Sequence, residues 1–180
     1  MKIILNSLKL KKELQEIKNL GFVPTMGSIH KGHEYLIKRS KKECAKTIVS
    51  IFINPTQFNN INDFKKYPKN INKDLDILKK INVDIVFIPK SQDIYKSKRK
   101  KKIKLNKKDL ILCAKHRKGH FEGVLDVLDR LTKIIYPNKI YMGEKDFQQF
   151  FLVKKFIEKR YACKIVKCKT IRDNKKIALS

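Results

Sequence analysis

The 180-residue chain has no Cys-x-x-Cys pair, no long apolar run and few acidic residues, and each shortage narrows what it can be. Its four cysteines, Cys44, Cys113, Cys163 and Cys168, are scattered through segments that read as regular structure. They predict buried free thiols, not a disulfide framework. The apolar stretch in Met1–Leu5 is far shorter than a signal-peptide core or a membrane span, so a cytoplasmic protein with no membrane partner is expected. Seventeen Asp and Glu stand against 44 Lys and Arg, a formal net charge of +27. Such an excess raises nucleic acid as a partner, because clustered cations release counterions from phosphate backbones. Only residues 96–108 form a dense basic run, however, and elsewhere lysine is spread over helix faces among many Asn and Ile. All three residue types have A/T-rich codons, so a biased genome explains the excess as well as selection does. Nonspecific adhesion to polyanions at low salt is expected, and no specific nucleic-acid partner.

What the chain does have is 42% apolar residues, enough for the core of a single domain. Leu10, Leu14 and Ile17 predict an amphipathic helix from Ser7 to Leu20, capped by Ser7 and ended by Gly21. Five runs read as strands: Phe22–Pro24, Thr47–Ile53, Asp84–Pro89, Lys139–Met142 and Lys164–Cys168. Helices are predicted between them, from about Gly32 to Cys44, from near Ile71 through Ile81, through Val124, Leu128, Leu131 and Ile135, and up to about Arg160. Strands alternating with helices predict an α/β fold: a Rossmann-like, doubly wound, mainly parallel five-stranded sheet with helices on both faces.

Chemistry concentrates where strands end. Residues 22–33 run from an apolar strand into a turn carrying Gly27 and Gly32 and two histidines three positions apart, His30 and His33. The glycines permit a positive φ or a close approach, and the helix start at Gly32 offers free N–H groups to a phosphate. Imidazoles there can donate to phosphate oxygens and stabilise charge on a departing pyrophosphate. By spacing alone the pair is equally consistent with surface residues or zinc ligands. Gln57, in Asn54-Pro55-Thr56-Gln57-Phe58, follows the most strand-like run and points toward the crevice of an open sheet, or lies as a turn residue in solvent. Asp74 falls in the first turn of its helix, where a carboxylate complements the dipole. Gly143-Glu144-Lys145-Asp146 places a lysine at a helix start directly after a strand, again a phosphate-binding arrangement.

Pro24-Thr25-Met26-Gly27 followed by His30-Lys31-Gly32-His33 resembles the nucleotide-binding signature of the nucleotidylyltransferase superfamily, in the form found in the pantothenate synthetase (pantoate:β-alanine ligase) family. Asn-Pro-x-Gln-Phe at 54–58 is similar to a second motif of that family, and Gly-Glu-Lys-Asp-Phe-Gln-Gln at 143–149 to a third, with Phe147 in place of tyrosine. Arg117-Lys118-Gly119-His120-Phe121 resembles the family's Arg-Pro-Gly-His-Phe, with Lys118 in place of proline. The resemblance implies ATP-dependent condensation of pantoate with β-alanine through a pantoyl-adenylate. It implies ATP contacts at Met26, Gly27, Ser28, Ile29, His30, Lys31, Gly32, His33, Gly143, Glu144, Lys145, Asp146, Ile171, Leu179 and Ser180. His33, His30 and Lys145 are the implied catalytic groups, with His33 the proton donor. Gln57 and Gln149 are implied for pantoate and β-alanine, Arg117 as a substrate-side cation, His120 as structural, and Asp74 as a magnesium carboxylate. Mg²⁺ and a homodimer come with the family.

The block from Thr170 to Ser180 resembles the approach to the family's Ser-Ser-Arg-Asn, with Lys175 and Lys176 where Asp-Gly is usual. The chain stops at Ser180 inside that motif and before the family's C-terminal lid domain. Residues 1–180 are thus expected to be the N-terminal nucleotide- and pantoate-binding domain, impaired in turnover. Two other readings remain: another nucleotidylyltransferase, or a catalytically inactive basic module that binds nucleic acid.

Overall fold

A computed structural model describes residues 1–96 and 103–179. Residues 97–102 of the basic run, and the ATP contact expected at Ser180, lie outside those residues. The chain builds a parallel sheet from β1 (Lys2–Ile4), β2 (Leu20–Thr25), β3 (Lys46–Ile51), β4 (Ile85–Phe87), β5 (Lys139–Gly143) and β6 (Lys164–Cys168). The order is β1-β4-β3-β2-β5-β6, and every pairing is parallel. From β2 the chain winds outward through β3 and β4, then returns to β5 and winds the other way to β6. The switch point therefore falls between β2 and β5, and ligands bind outside the strand ends there.

The sheet has six strands where five were expected. Lys2–Ile4 pairs with Ile85–Phe87, and only Ile4 is buried while Ile3 is exposed. Three residues are too few for a period to show, and β4 supplies the partner. The first helix, α1 (Ser7–Leu14), is also shorter than expected. Asn6, not Ser7, caps it, accepting from Leu8 N at 2.8 Å and Lys9 N at 3.3 Å. Gly21 lies inside β2 and so does not end the helix.

Each strand sends alternate residues to opposite faces, and both faces are covered. On one, Val23, Val49, Val86 and Tyr141 pack with Ile37 of α2 (Lys31–Glu43) and Leu78 of α4 (Ile71–Lys80). On the other, Phe22, Ile48, Phe87 and Ile140 meet α1, the long α7 (His120–Ile135) and α8 (Phe147–Ile157), while the short α3 (Ile61–Lys66), α5 (Ser91–Ile94) and α6 (Cys113–His116) lie in the connections. Burial on both faces accounts for the continuous apolar strands, each large side chain contributing about 1.5–3 kcal/mol. Among the cysteines, Cys44, Cys163 and Cys168 are buried, but Cys113 is exposed, contrary to expectation. It opens a four-residue helix, Cys113–His116, that lies outside the sheet.

Candidate active site

A cleft of about 540 Å³ opens at the carboxyl ends of the strands, between the turns after β2, β3 and β5. Met26, Gly27, Ser28, His30, Gly32, His33, Gln57, Gly143, Lys145, Asp146, Gln149, Ile171 and Leu179 all line it. Residues from four separate stretches of sequence thus meet where the topology requires.

The turn after β2 is built around a carboxylate. Asp74, 3% exposed at the start of α4, accepts from Ser28 N at 2.9 Å and Ile29 N at 2.7 Å. Gly27 sits at φ +89°, and a Cβ there would stand 2.9 Å from Asp74 Oδ2, so both its backbone and its neighbour require glycine. Each oxygen of Asp74, the carboxylate expected at magnesium or at the helix dipole, is thus held on a backbone amide. Among the described residues, no group of three or more His, Cys, Asp or Glu could hold a metal ion.

The two histidines complete the turn. His30 caps α2, and its Nδ1 accepts from Gly32 N at 3.0 Å, while His33 Nδ1 accepts from His30 N at 3.4 Å. An Nδ1 that accepts leaves the proton of a neutral ring on Nε2. The rings stand 4.0 Å apart between centroids. Burial, with the neighbouring His30 adding to it, holds His33 down to about 4; burial and then Lys145 lower His30. Both rings are therefore neutral donors near pH 7. The expectation of free N–H groups at this helix start is narrowed, since the amides of Ser28, Ile29, His30 and Gly32 are already bonded within the chain.

Gln57 ends a 3₁₀ turn, Pro55–Gln57, pressed against α7. A Cβ at Gly123 would lie 2.4 Å from Thr56 O, so only glycine admits this approach. Asn54, 1% exposed, donates from Nδ2 to Gln57 Oε1 at 3.1 Å and to Gly123 O at 3.1 Å. Tyr95 donates to Asn54 Oδ1 at 2.6 Å. His120 is buried, with Nδ1 2.8 Å from Gln57 O, the structural place expected for it.

After β5 the chain makes a 3₁₀ turn, Glu144–Asp146, before α8 begins, so Lys145 stands on that turn and not at the helix start. Glu144 faces away from the cleft, accepting from Thr170 N at 3.3 Å with Lys167 Nζ at 3.5 Å. The paired glutamines divide: Gln148 donates to Ile111 O at 2.7 Å, while Gln149 lines the cleft. Arg117 is exposed and lies outside the cleft lining, not in the substrate-side position expected of it. Ile29 packs its side chain into the core, and Lys31 is exposed. Sequence reading missed Asn54, Lys169 and the apolar wall of Val124, Leu128 and Leu131 as cleft residues. The period of α7 was visible but reads only as packing on the sheet.

The fold and the site together define a nucleotidylyltransferase-like α/β domain. The chain belongs to the pantoate-beta-alanine ligase family, whose model matches residues 2–180. It is 41% identical over 173 residues to a pantothenate synthetase of Pseudothermotoga lettingae, covering 96% of this chain and 62% of the relative. It is 44% identical over 179 residues to that of Francisella tularensis subsp. novicida, covering 94% and 68%. Among solved structures, a Francisella tularensis pantoate-beta-alanine ligase complexed with beta-gamma ATP and beta-alanine superposes with a TM-score of 0.96 at 42% identity, covering all of this chain and 71% of that one. A pantothenate synthetase from Thermus thermophilus gives 0.94 at 31% identity, covering all of this chain and 66% of that one. The chain thus spans 62% of the length of the first relatives it matches.

Proposed function

We propose that this chain carries the site for ATP-dependent condensation of pantoate with β-alanine. The observation that carries it is the convergence of His30, His33, Lys145, Gln57 and Gln149 on one cleft at the switch point. In the first step a pantoate carboxylate oxygen attacks the α-phosphorus of ATP, and the bond to pyrophosphate breaks. In the second the neutral amine of β-alanine attacks the acyl carbon, AMP leaves with the bonding electrons, and the amine gives up a proton to water. No protein nucleophile is needed, so the chain's work is positioning and electrostatics.

His30 and His33 supply Nε2–H donors to the phosphate oxygens on which charge builds. As neutral rings they keep their protons, so His33 acts as a hydrogen-bond donor and transfers no proton to pyrophosphate. Lys145 neutralises phosphate charge. Gln57, its carbonyl held by Asn54 and one N–H directed at Met26 Sδ at 3.1 Å, offers its other N–H to the hydroxy acid, and Gln149 orients it from α8. Magnesium is the ordinary companion of ATP phosphates; among the described residues no group of three or more His, Cys, Asp or Glu forms a cage for it, and no step is assigned to it. The family resemblance supports a homodimer in the cytoplasm; among the described residues no helix is long and apolar enough to cross a membrane.

Isotope exchange between pyrophosphate and ATP tests the reading, because formation of the adenylate reverses without the amine. Exchange that requires pantoate and proceeds without β-alanine is expected. Exchange indifferent to pantoate, or none in a folded chain that binds both ligands, would overturn it.

A further inference from the structure

The main cleft is poor in positive charge for a site that takes a triphosphate. Four backbone amides of its histidine turn, those of Ser28, Ile29, His30 and Gly32, are bonded within the chain, and its two histidines are neutral near pH 7. The fixed charges among the described lining residues are Lys145, Asp146 and Lys169. With Asp146 counted against them, the two lysines leave the lining a formal net charge of only +1, and Lys169 is its second cation.

Lys169 follows the last residue of β6, at the carboxyl end of the sheet, and the next residue is anchored by the bond from Thr170 N to Glu144. Its ammonium stands 5.7 Å from the centre of the Tyr35 ring, so the side chain reaches from β6 to the first turns of α2, the helix that carries His33. A ring face at that distance holds a cation without neutralising it. No carboxylate pairs with Lys169 among the described residues, whereas its neighbour Lys167 lies 3.5 Å from Glu144.

We propose that Lys169 is a second phosphate-binding cation of the cleft, acting on the side of the phosphate chain away from Lys145. The inference rests on the nucleotide reading of the site given above. Two lysines on separate strand ends grip a phosphate chain from two directions, and the stacked tyrosine keeps one of them extended before the ligand arrives, which lowers the entropy lost on binding.

Calorimetric titration of ATP, AMP and adenosine into the parent chain, Lys169→Ala, Lys169→Arg and Lys167→Ala tests it. Lys169→Ala should weaken ATP about tenfold and adenosine less than twofold, with AMP between, as expected for loss of one charge-assisted contact to phosphate. Lys169→Arg should return ATP affinity to within about threefold of the parent, and Lys167→Ala should leave it unchanged. ATP binding by Lys169→Ala within twofold of the parent overturns the inference alone, as does an equal loss for adenosine. A folded parent chain that binds no ATP overturns the nucleotide reading, and the inference with it.

Discussion

The turn after β2 and the turn after β5 lie on neighbouring strands and use their hydrogen bonds in opposite ways. The first turns inward: Asp74, His30 and His33 accept its amides, and its anchor is buried. The second is tied from outside, through Glu144 on Thr170, and leaves Lys145 exposed. One is a fixed platform whose product is the direction of two Nε2–H groups. The other delivers a charge, which needs less exact aim because Coulomb attraction varies slowly with angle. Variants that separate aim from charge can break or sharpen this contrast.

The largest effect should come from the platform's product. His33→Ala should slow adenylate formation by about 10²–10³, the usual cost of one preorganised donor to a developing charge, while changing ATP affinity less than about threefold. Rapid-quench measurement of pyrophosphate release with pantoate present reads the rate. A rate within threefold of the parent would remove His33 from the chemistry.

The platform should also show itself in stability. His33 is held at about 4 in the folded chain, against an ordinary 6.5, by burial and by His30. The unfolded chain therefore binds the proton more tightly: stability is whole above about pH 6.5, falls as pH drops toward 4 and levels off below. The loss is on the order of 2–3 kcal/mol, and His30, also lowered, adds in the same direction. Urea melts at pH 7 and pH 5 check it, above the range where Glu43, held down to about 2 chiefly by its hydrogen bond from Arg39, takes up protons. His33→Asn should remove more than half of the change between those two values. An unchanged slope would mean that the ring is not buried as a neutral group.

Asp74→Asn comes next. The amide offers one acceptor where two N–H groups converge, and its own NH₂ opposes the other, leaving a buried amide unpaired at a cost of about 2 kcal/mol. The midpoint of a urea melt at pH 7 should fall accordingly with the slope unchanged. A loss below about 0.5 kcal/mol would show that the turn holds itself.

The two turns were also unequally legible in the sequence. Both could be found, because a strand running into a glycine and a polar residue is a local pattern; that rule pointed to Lys145, a strand end alone to Gln57, and only the family motif to Gln149. The partners of the first turn were not legible: Asp74 reaches Ser28 across 46 residues, and its position at a helix start offers a sufficient local reason to be acidic. Lys169 was hidden among 44 basic residues, where one more lysine carries no signal. Arg117 was expected at the cleft from a motif alone, and motif spacing does not record that its side chain ends in solvent. The fold failed at its edge for the same reason. β1 exists because β4 pairs with it, and no three-residue pattern records a partner more than 80 residues away.

Glu144→Gln is the smallest and sharpest test of the contrast. Glu144 does for the second turn what Asp74 does for the first, accepting a backbone N–H from a distant segment, but its side chain is 36% exposed and its bond to Thr170 N is 3.3 Å long. A glutamine keeps a carbonyl for Thr170 and loses only the contact with Lys167, itself half in solvent, and exposed pairs of this kind contribute about 0–1 kcal/mol. The urea midpoint at pH 7 should therefore shift by less than about 0.5 kcal/mol, a quarter of the change expected for Asp74→Asn, though both substitutions replace one carboxylate oxygen with NH₂. Burial accounts for the difference: water re-pairs what Glu144 releases and cannot reach what Asp74 releases. Equal losses for the two variants would show that the turn after β5 is as tightly built as the turn after β2, and the division between a fixed donor platform and a loosely held charge would not stand.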